Sequence, residues 1–370
     1  MERQRFPITE RFAYLNHASR GPLAPPAYDF ILKRAKEMCL LHPAQLREMN
    51  SDFQAARQAI ADLIGASMIS IGFVPNTSAG LAMAAGSLAI GEGDNVICSD
   101  AEFPANIFPW LNLKHRGVEI RMLSRGPGGI TADQVREAMD GRTRAVALSW
   151  IGFSDGIRID SAAIAGLCQE RGARFVLDAI QGVGAIRTDL EGVDVLVCGS
   201  GKWTLAPQGG GFVYVRPDRI EELRPDRVGW LSMAQNADLE DLTRLTDYRF
   251  DLAGDARRIE TGSNSPLTQM AMGESCRYLN GLGMHAVEQR ILGLCDHLME
   301  GLRSRGVEPL PPPRPDLRSG IVCFPVPEPE AFVRRLFDEG VQVSTREGKI
   351  RVGIHFYNNE DDLDRLLACL

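Results

Sequence analysis

Seven short apolar runs between residues 70 and 215 constrain this chain more than any other feature. They are SIGFV (70–74), NVICSD (95–100), VEIRML (118–123), RAVALSW (144–150), RFVLDA (174–179), DVLVCG (194–199) and GFVYV (211–215). Helix-like segments such as SAGLAMAAGSLA, FPANIFPWLNLKHRG, TADQVREAM and DSAAIAGLCQERG lie between the earlier ones. Strand–helix alternation of this kind predicts an α/β fold with a mostly parallel sheet and helices on both faces. The runs are almost continuously apolar, as strands covered on both faces must be. Before them stand an extended piece (FAYLNHA), a helix after Pro25-Pro26 and a second helix over 44–64. After residue 264 the pattern changes. Two long helices (265–281 and 284–305), a proline-rich link (309–316), the apolar runs GIVCFPV, VQVST and IRVGIH, and a last helix from Glu360 predict a smaller α+β unit. The expected division is an N-terminal segment (1–24), a large domain (25–264) and a small C-terminal domain (265–370).

Composition removes several function classes. A net charge of −7 with no basic block argues against a nucleic-acid partner. No uninterrupted apolar stretch is long enough to cross a membrane, and residues 1–10 are too polar for a secretory leader. The eight cysteines are scattered, none in a CxxC pair, which suits reduced thiols in a cytoplasmic protein. The six histidines show no metal-ligand spacing.

The stretch VLVCGSGKWTLAPQGGGFVYV places Lys202 in a glycine-lined turn between two buried-looking runs. A desolvated ammonium is costly unless paired or chemically employed. GSGK is not a phosphate-binding P-loop: Leu196 stands where that loop needs glycine, and Trp203 where it needs serine or threonine. Asp178 ends the run FVLDA, an equally costly place for a carboxylate. Its bland reading is a cap or a buried salt bridge. In open α/β sheets, however, ligands bind beyond the carboxyl ends of the strands. One ligand uses both groups there: pyridoxal 5'-phosphate, whose aldehyde forms a Schiff base with lysine and whose ring nitrogen is kept protonated by an aspartate. PNTSAG (75–80) opens an Ala-rich helix, so Thr77 or Ser78 is placed to cap it and its free N–H groups to favour an anion. Ser200 is a second hydroxyl within reach.

In order, YLNHASRGPL, PNTSAG, AEFPANIFPW, FVLDAIQG, GSGKW, RRIETGSNS and IRVGIHFYN resemble the motifs of the class V aminotransferase family of pyridoxal-phosphate enzymes, the cysteine desulfurase and isopenicillin-epimerase-like branch. The resemblance covers nearly the whole chain. It implies a fold-type I transferase with a seven-stranded sheet. Carried over residue by residue, Lys202 forms the Schiff base and Asp178 holds the ring nitrogen. Thr77 and Ser78 bind the phosphate, Phe103 stacks on the ring and Gln181 lies near the ring hydroxyl. Ser263 reaches the phosphate of a neighbouring subunit, which implies a homodimer with shared active sites. Arg351 takes the substrate carboxylate, for which a planar fork suits well. His17 lies in a motif near the entrance or packs in the core, and Arg346, in the TREGK turn, is placed to contact a substrate side chain, which would favour an acidic or polar substrate.

Three departures narrow the reaction. Gly201 stands where many relatives have a histidine, and Phe153 where desulfurases have an asparagine. The stretch TREGK carries no cysteine where desulfurases carry their mobile nucleophile, so persulfide chemistry is not expected. The expectation is a pyridoxal-phosphate enzyme acting at Cα of a small α-amino acid, with transamination ranked first because the family name carries it. A C–S β-elimination lyase and an amino-acid epimerase stay open as alternatives. A cofactor-binding protein without catalysis and a nucleotide-binding protein rank below them.

Overall fold

A computed structural model describes residues 2–40, 44–236, 246, 248–263, 265–310 and 314–370. Twelve strands occur among them: β1 (Ala13–Tyr14), β2 (Ile71–Val74), β3 (Asn95–Ser99), β4 (Glu119–Leu123), β5 (Thr143–Ser149), β6 (Arg174–Asp178), β7 (Val195–Gly199), β8 (Gly211–Val215), β9 (Ile321–Phe324), β10 (Val341–Gln342), β11 (Ser344–Arg346) and β12 (Lys349–Gly353). All seven apolar runs became strands of one sheet, ordered β2-β8-β7-β6-β5-β3-β4. Only β8 runs against its neighbours, as a short connection from β7 requires. The sheet is therefore mostly parallel, as the alternation with helices predicts.

Alternate residues along each strand feed opposite cores. Phe175, Leu177, Leu196 and Cys198 enter one apolar cluster; Val176, Val195 and Val197 enter the other. Both faces are thus sealed, and the period of two explains why the strands read as unbroken apolar runs. The register aligns Ser149 with Asp178, and Asp178 with Val197. Polar chemistry is displaced to the carboxyl ends: Glu102 and Phe103 follow β3, Asp178 closes β6 and Lys202 follows β7.

The C-terminal part holds an antiparallel sheet, β11-β12-β9, with helices Met284–Arg303, Pro329–Asp338 and Glu360–Leu367. The N-terminal strand β1 pairs in parallel with β10, and Asn16 bridges to Gly353. Residues 16–21 therefore run from the C-terminal sheet to the Lys202 turn. Helix Pro266–Leu282 packs against helices Pro25–Met38 and Ala44–Ile64. Among the described residues no helix is long and apolar enough to cross a membrane, and no group of His, Cys, Asp and Glu is placed to hold a metal ion.

A buried ion pair joins helix Ala44–Ile64 to the edge strand. Arg57 Nη1 donates to Glu260 Oε1 at 2.7 Å, the Phe73 N–H donates to the same oxygen at 2.9 Å, and the guanidinium lies 4.4 Å from the Phe73 ring centroid. Glu260 leads directly into the 261–263 loop. Removing one member of a buried pair strands the other. Arg57→Met is expected to cost about 3 kcal/mol, seen as a lower urea midpoint, whereas an unchanged midpoint would show the pair to be dispensable.

Candidate active site

Helix Thr77–Ser87 follows β2 and points its first turn at the end of β7. Its cap is neither Thr77 nor Ser78, a correction to the sequence reading. Asn76 has extended backbone (φ −172°), and its Oδ1 accepts from the Ala79 N–H at 2.9 Å. The cap is thereby satisfied from outside the helix. The hydroxyls of Thr77 and Ser78 are left without a hydrogen-bond partner among the described residues, beside the orphan N–H groups of the first turn. Gly199 makes the approach possible, since a Cβ there would stand 2.6 Å from Thr77 Oγ1.

These groups line a cavity of about 260 Å³ with Phe103, Asp178, Ser200 and Lys202. The Lys202 turn is clamped from behind. Gly21 donates its N–H to the Gly201 carbonyl at 3.0 Å, and a Cβ on Gly21 would lie 2.1 Å from the Lys202 carbonyl oxygen. Leu205, three residues on, takes the left-handed backbone (φ 54°) that side chains other than glycine rarely adopt. Trp203 is fully buried, and its Nε1 donates to Gln181 Oε1 at 2.8 Å.

Lys202 Nζ makes no hydrogen bond among the described residues and lies 5.8 Å from the Phe103 ring centroid. Burial pulls its ammonium down to about 8; Asp178 opposes that pull and Arg351 adds to it. Asp178 is 2% exposed, and its Oδ1 accepts only the Ile180 N–H, at 3.0 Å. Burial pushes its carboxyl up to about 7, the Ile180 bond opposing and the nearby Glu102 carboxylate adding. Phe103 is 45% exposed and meets Phe153 edge-on at 5.4 Å. Beside Lys202 the wall is therefore aromatic, and Phe103 itself can carry no proton.

Five expected residues lie outside the cavity lining. Gln181 is buried behind Lys202, its Nε2 donating to the Ala18 carbonyl at 3.1 Å and its Oε1 taken by Trp203. His17 is fully buried, which decides against the entrance and for the packed core. Its Nδ1 faces the Gly353 carbonyl at 2.8 Å, so that nitrogen carries the proton, and Nε2 accepts from the Tyr357 hydroxyl at 2.5 Å. Burial and His355 hold it well below the usual histidine range. Ser263 is exposed and meets nothing in this site. Arg351 and Arg346 reach the cavity through Ser19, whose Oγ accepts from Arg351 Nη2 at 2.6 Å and from Arg346 Nη2 at 3.3 Å. Ser200 does line the cavity, but its Oγ donates to the backbone carbonyls of Pro207 and Gly210, so the loop holds the proton that a phosphate would need.

Sequence reasoning missed four residues of the site. Asn76 is the cap. Ser19 lies in YLNHASRGPL, one strand-end away from any local signal. Glu102 is the buried acid of AEFPANIFPW, tied to the Ser149 N–H at 2.8 Å and Asn106 Nδ2 at 3.0 Å. Gln208 lines the cavity, and its Cγ lies 2.5 Å from where a Cβ on Gly201 would be. Gln208 thus fills the space that a side chain at 201 would occupy.

The model of class-V aminotransferases matches residues 42–366. The chain belongs to the class-V aminotransferase family. It is, with that family, a pyridoxal-phosphate enzyme, and the unpartnered hydroxyls, the half-bonded Asp178 and the free lysine fit the phosphate, ring nitrogen and aldehyde of that cofactor. Among its relatives, a probable cysteine desulfurase of Methanothermobacter thermautotrophicus is 26% identical, the alignment covering 98% of this chain and 95% of that protein. Isopenicillin N epimerase of Streptomyces clavuligerus is 29% identical, covering 96% and 93%. A structure of a C-DES variant with glycine covalently linked to its PLP cofactor superposes with a TM-score of 0.91 at 22% identity, covering 100% and 98%. This class-V fold carries its ionisable pair into stability. Asp178 binds a proton more tightly folded (about 7) than unfolded, so cofactor-free protein should lose stability as pH rises from about 4 to 7. Lys202 releases its proton more easily folded (about 8), so stability should recover between about 8 and 10. Asp178→Asn should abolish the first limb in urea titrations across pH, and a limb that persists would place the titrating group elsewhere.

Proposed function

We propose that this chain acts at Cα of a small α-amino acid, with transamination as its reaction, Lys202 as the covalent attachment point and the same lysine as the proton carrier. The observation that supports it most is a lysine without a hydrogen bond, depressed by burial, facing Asp178 across a cavity whose far end offers unpartnered hydroxyls. When bound, the cofactor supplies an electron sink for the negative charge left at Cα. Asp178 holds the proton at the ring nitrogen, a charge-assisted bond about twice as strong as a neutral one. Thr77, Ser78 and the first N–H groups of helix Thr77–Ser87 hold the phosphate. Arg351 fixes the α-carboxylate, and Lys202 moves the proton at Cα.

Phe103 offers a hydrophobic face where an imidazole would add a second acid or base. With Asp178 committed to the ring nitrogen, Lys202 is the acid–base group of the cavity wall left to serve Cα among the described residues, and the proton is removed and returned on one face. That geometry favours transfer to a 2-oxo acid over a two-base epimerisation. Persulfide chemistry is opposed by burial, which pushes the Cys323 thiol up to about 12, and by the β11–β12 hairpin, which holds no cysteine. Six of the eight cysteines are buried, which suits a reducing cytoplasm.

The test is direct. Borohydride should fix the cofactor onto the Lys202 peptide, and a panel of amino acids should yield amino transfer to 2-oxo acids without a protein-bound persulfide. An adduct mapped to another lysine, or turnover that requires Cys323, would replace this reading.

The exposed Ser263 supports a homodimer in which the 261–263 loop serves the neighbour's phosphate. Ser263→Ala should weaken cofactor retention about three- to tenfold, the worth of one neutral hydrogen bond, in a protein that sediments as a dimer. A monomer with full cofactor affinity would rule this out.

A further inference from the structure

Strands β11 and β12 form a hairpin in which Ser344 pairs with Arg351 and Arg346 with Lys349. The strand period of two places Ser344, Arg346, Lys349 and Arg351 on one face. The turn residues Glu347 (φ 48°) and Gly348 (φ 71°) are both left-handed, the tight two-residue connection that holds hairpin arms in register. The separation of the two arginines is therefore set by the hairpin.

Among the described residues neither guanidinium forms an ion pair. Arg351, 2% exposed, donates to the Phe153 carbonyl at 2.9 Å, Ser344 Oγ at 3.3 Å and Ser19 Oγ at 2.6 Å. Arg346 donates to the Thr345 carbonyl at 2.6 Å and to the same Ser19 oxygen at 3.3 Å. Every partner is neutral. Two cations share one hydroxyl, and burial, with Arg346 adding its repulsion, pulls Arg351 down to about 10. Buried charge of one sign without a counter-ion is costly.

A serine hydroxyl has two lone pairs and one proton. Here both lone pairs face arginines, so the proton is left for the cavity that Ser19 lines. Each guanidinium has five N–H groups. Arg351 uses three and Arg346 two, which leaves both with free donors beside Ser19. This corner therefore offers donors and two positive charges. A single α-carboxylate satisfies one of them.

We propose that the substrate is an acidic amino acid, one with a second anionic group on a short side chain. Arg351 holds its α-carboxylate, Arg346 its side-chain anion, and Ser19 donates its hydroxyl proton to the ligand between them. The inference rests on the reading that this cavity takes an amino acid at Lys202.

Amine-free acids test the corner without turnover. Succinate and glutarate should bind the cofactor-loaded protein about tenfold more tightly than butyrate and valerate, by calorimetry at fixed ionic strength, the worth of a charged hydrogen bond. Arg346→Met should erase that preference and leave monocarboxylate affinity within about twofold. Ser19→Ala should weaken both classes. Equal binding of butyrate and succinate by the unmodified protein would overturn the proposal, and that comparison needs no variant to fold. Equal binding with borohydride labelling at Lys202 would remove the acidic-substrate inference alone. A dicarboxylate preference with the cofactor attached elsewhere would keep it and remove the Lys202 reading.

Discussion

The sheet is sealed on both faces, so the carboxyl ends of its strands are the places where a charge can be tolerated. Val176, Val195 and Val197 face one apolar cluster, while Phe175, Leu177 and Leu196 face the other. A charge inside either layer would be desolvated without compensation. Asp178, Glu102 and Lys202 accordingly stand at or just past the ends of β6, β3 and β7. Burial there displaces their proton affinities toward neutrality, raising the two carboxyls and lowering the lysine. Groups poised in this range are suited to proton transfer near neutral pH.

Position alone would leave Lys202 mobile. The turn is held because the N-terminal segment, anchored on β10 and β12, passes close behind it, and Gly21 leaves room for the Lys202 carbonyl. Beneath the turn, His17, His355, Trp203 and Tyr357 form a packed aromatic group. His355 Nε2 faces the Trp203 carbonyl at 2.9 Å and its Nδ1 accepts the Phe356 N–H at 2.9 Å, so the two histidines carry their protons on opposite nitrogens. Both are neutral for want of water, His355 being pulled down to about 4. The charge of the site is thus concentrated in Lys202, Arg346 and Arg351, against Asp178 and Glu102.

Strand periodicity made the sheet legible, because apolar runs of this length between helices have one common solution. The lysine and aspartate were legible for a related reason: a charge at the end of an apolar run demands an explanation. His17 stayed undecided between entrance and core because a histidine in a polar-looking motif gives no sign that Tyr357 and the Gly353 carbonyl will occupy both nitrogens. Ser200 misled, since nothing local shows that Pro207 and Gly210 turn back to take its proton. Ser19 and Gln208 have no signal of their own; they become site residues when segments far apart in sequence close on the cavity.

What the sequence by itself determined is the family, from seven motifs in order along nearly the whole chain, and the two-faced sheet with Lys202 and Asp178 at strand ends, from residue type and periodicity. Tertiary structure alone decided which hydroxyls remain free and which are spent, and that two arginines five positions apart converge on a serine from the other end of the chain. Hydrogen-bond partners and desolvation depend on neighbours in space, and here those neighbours are hundreds of residues away.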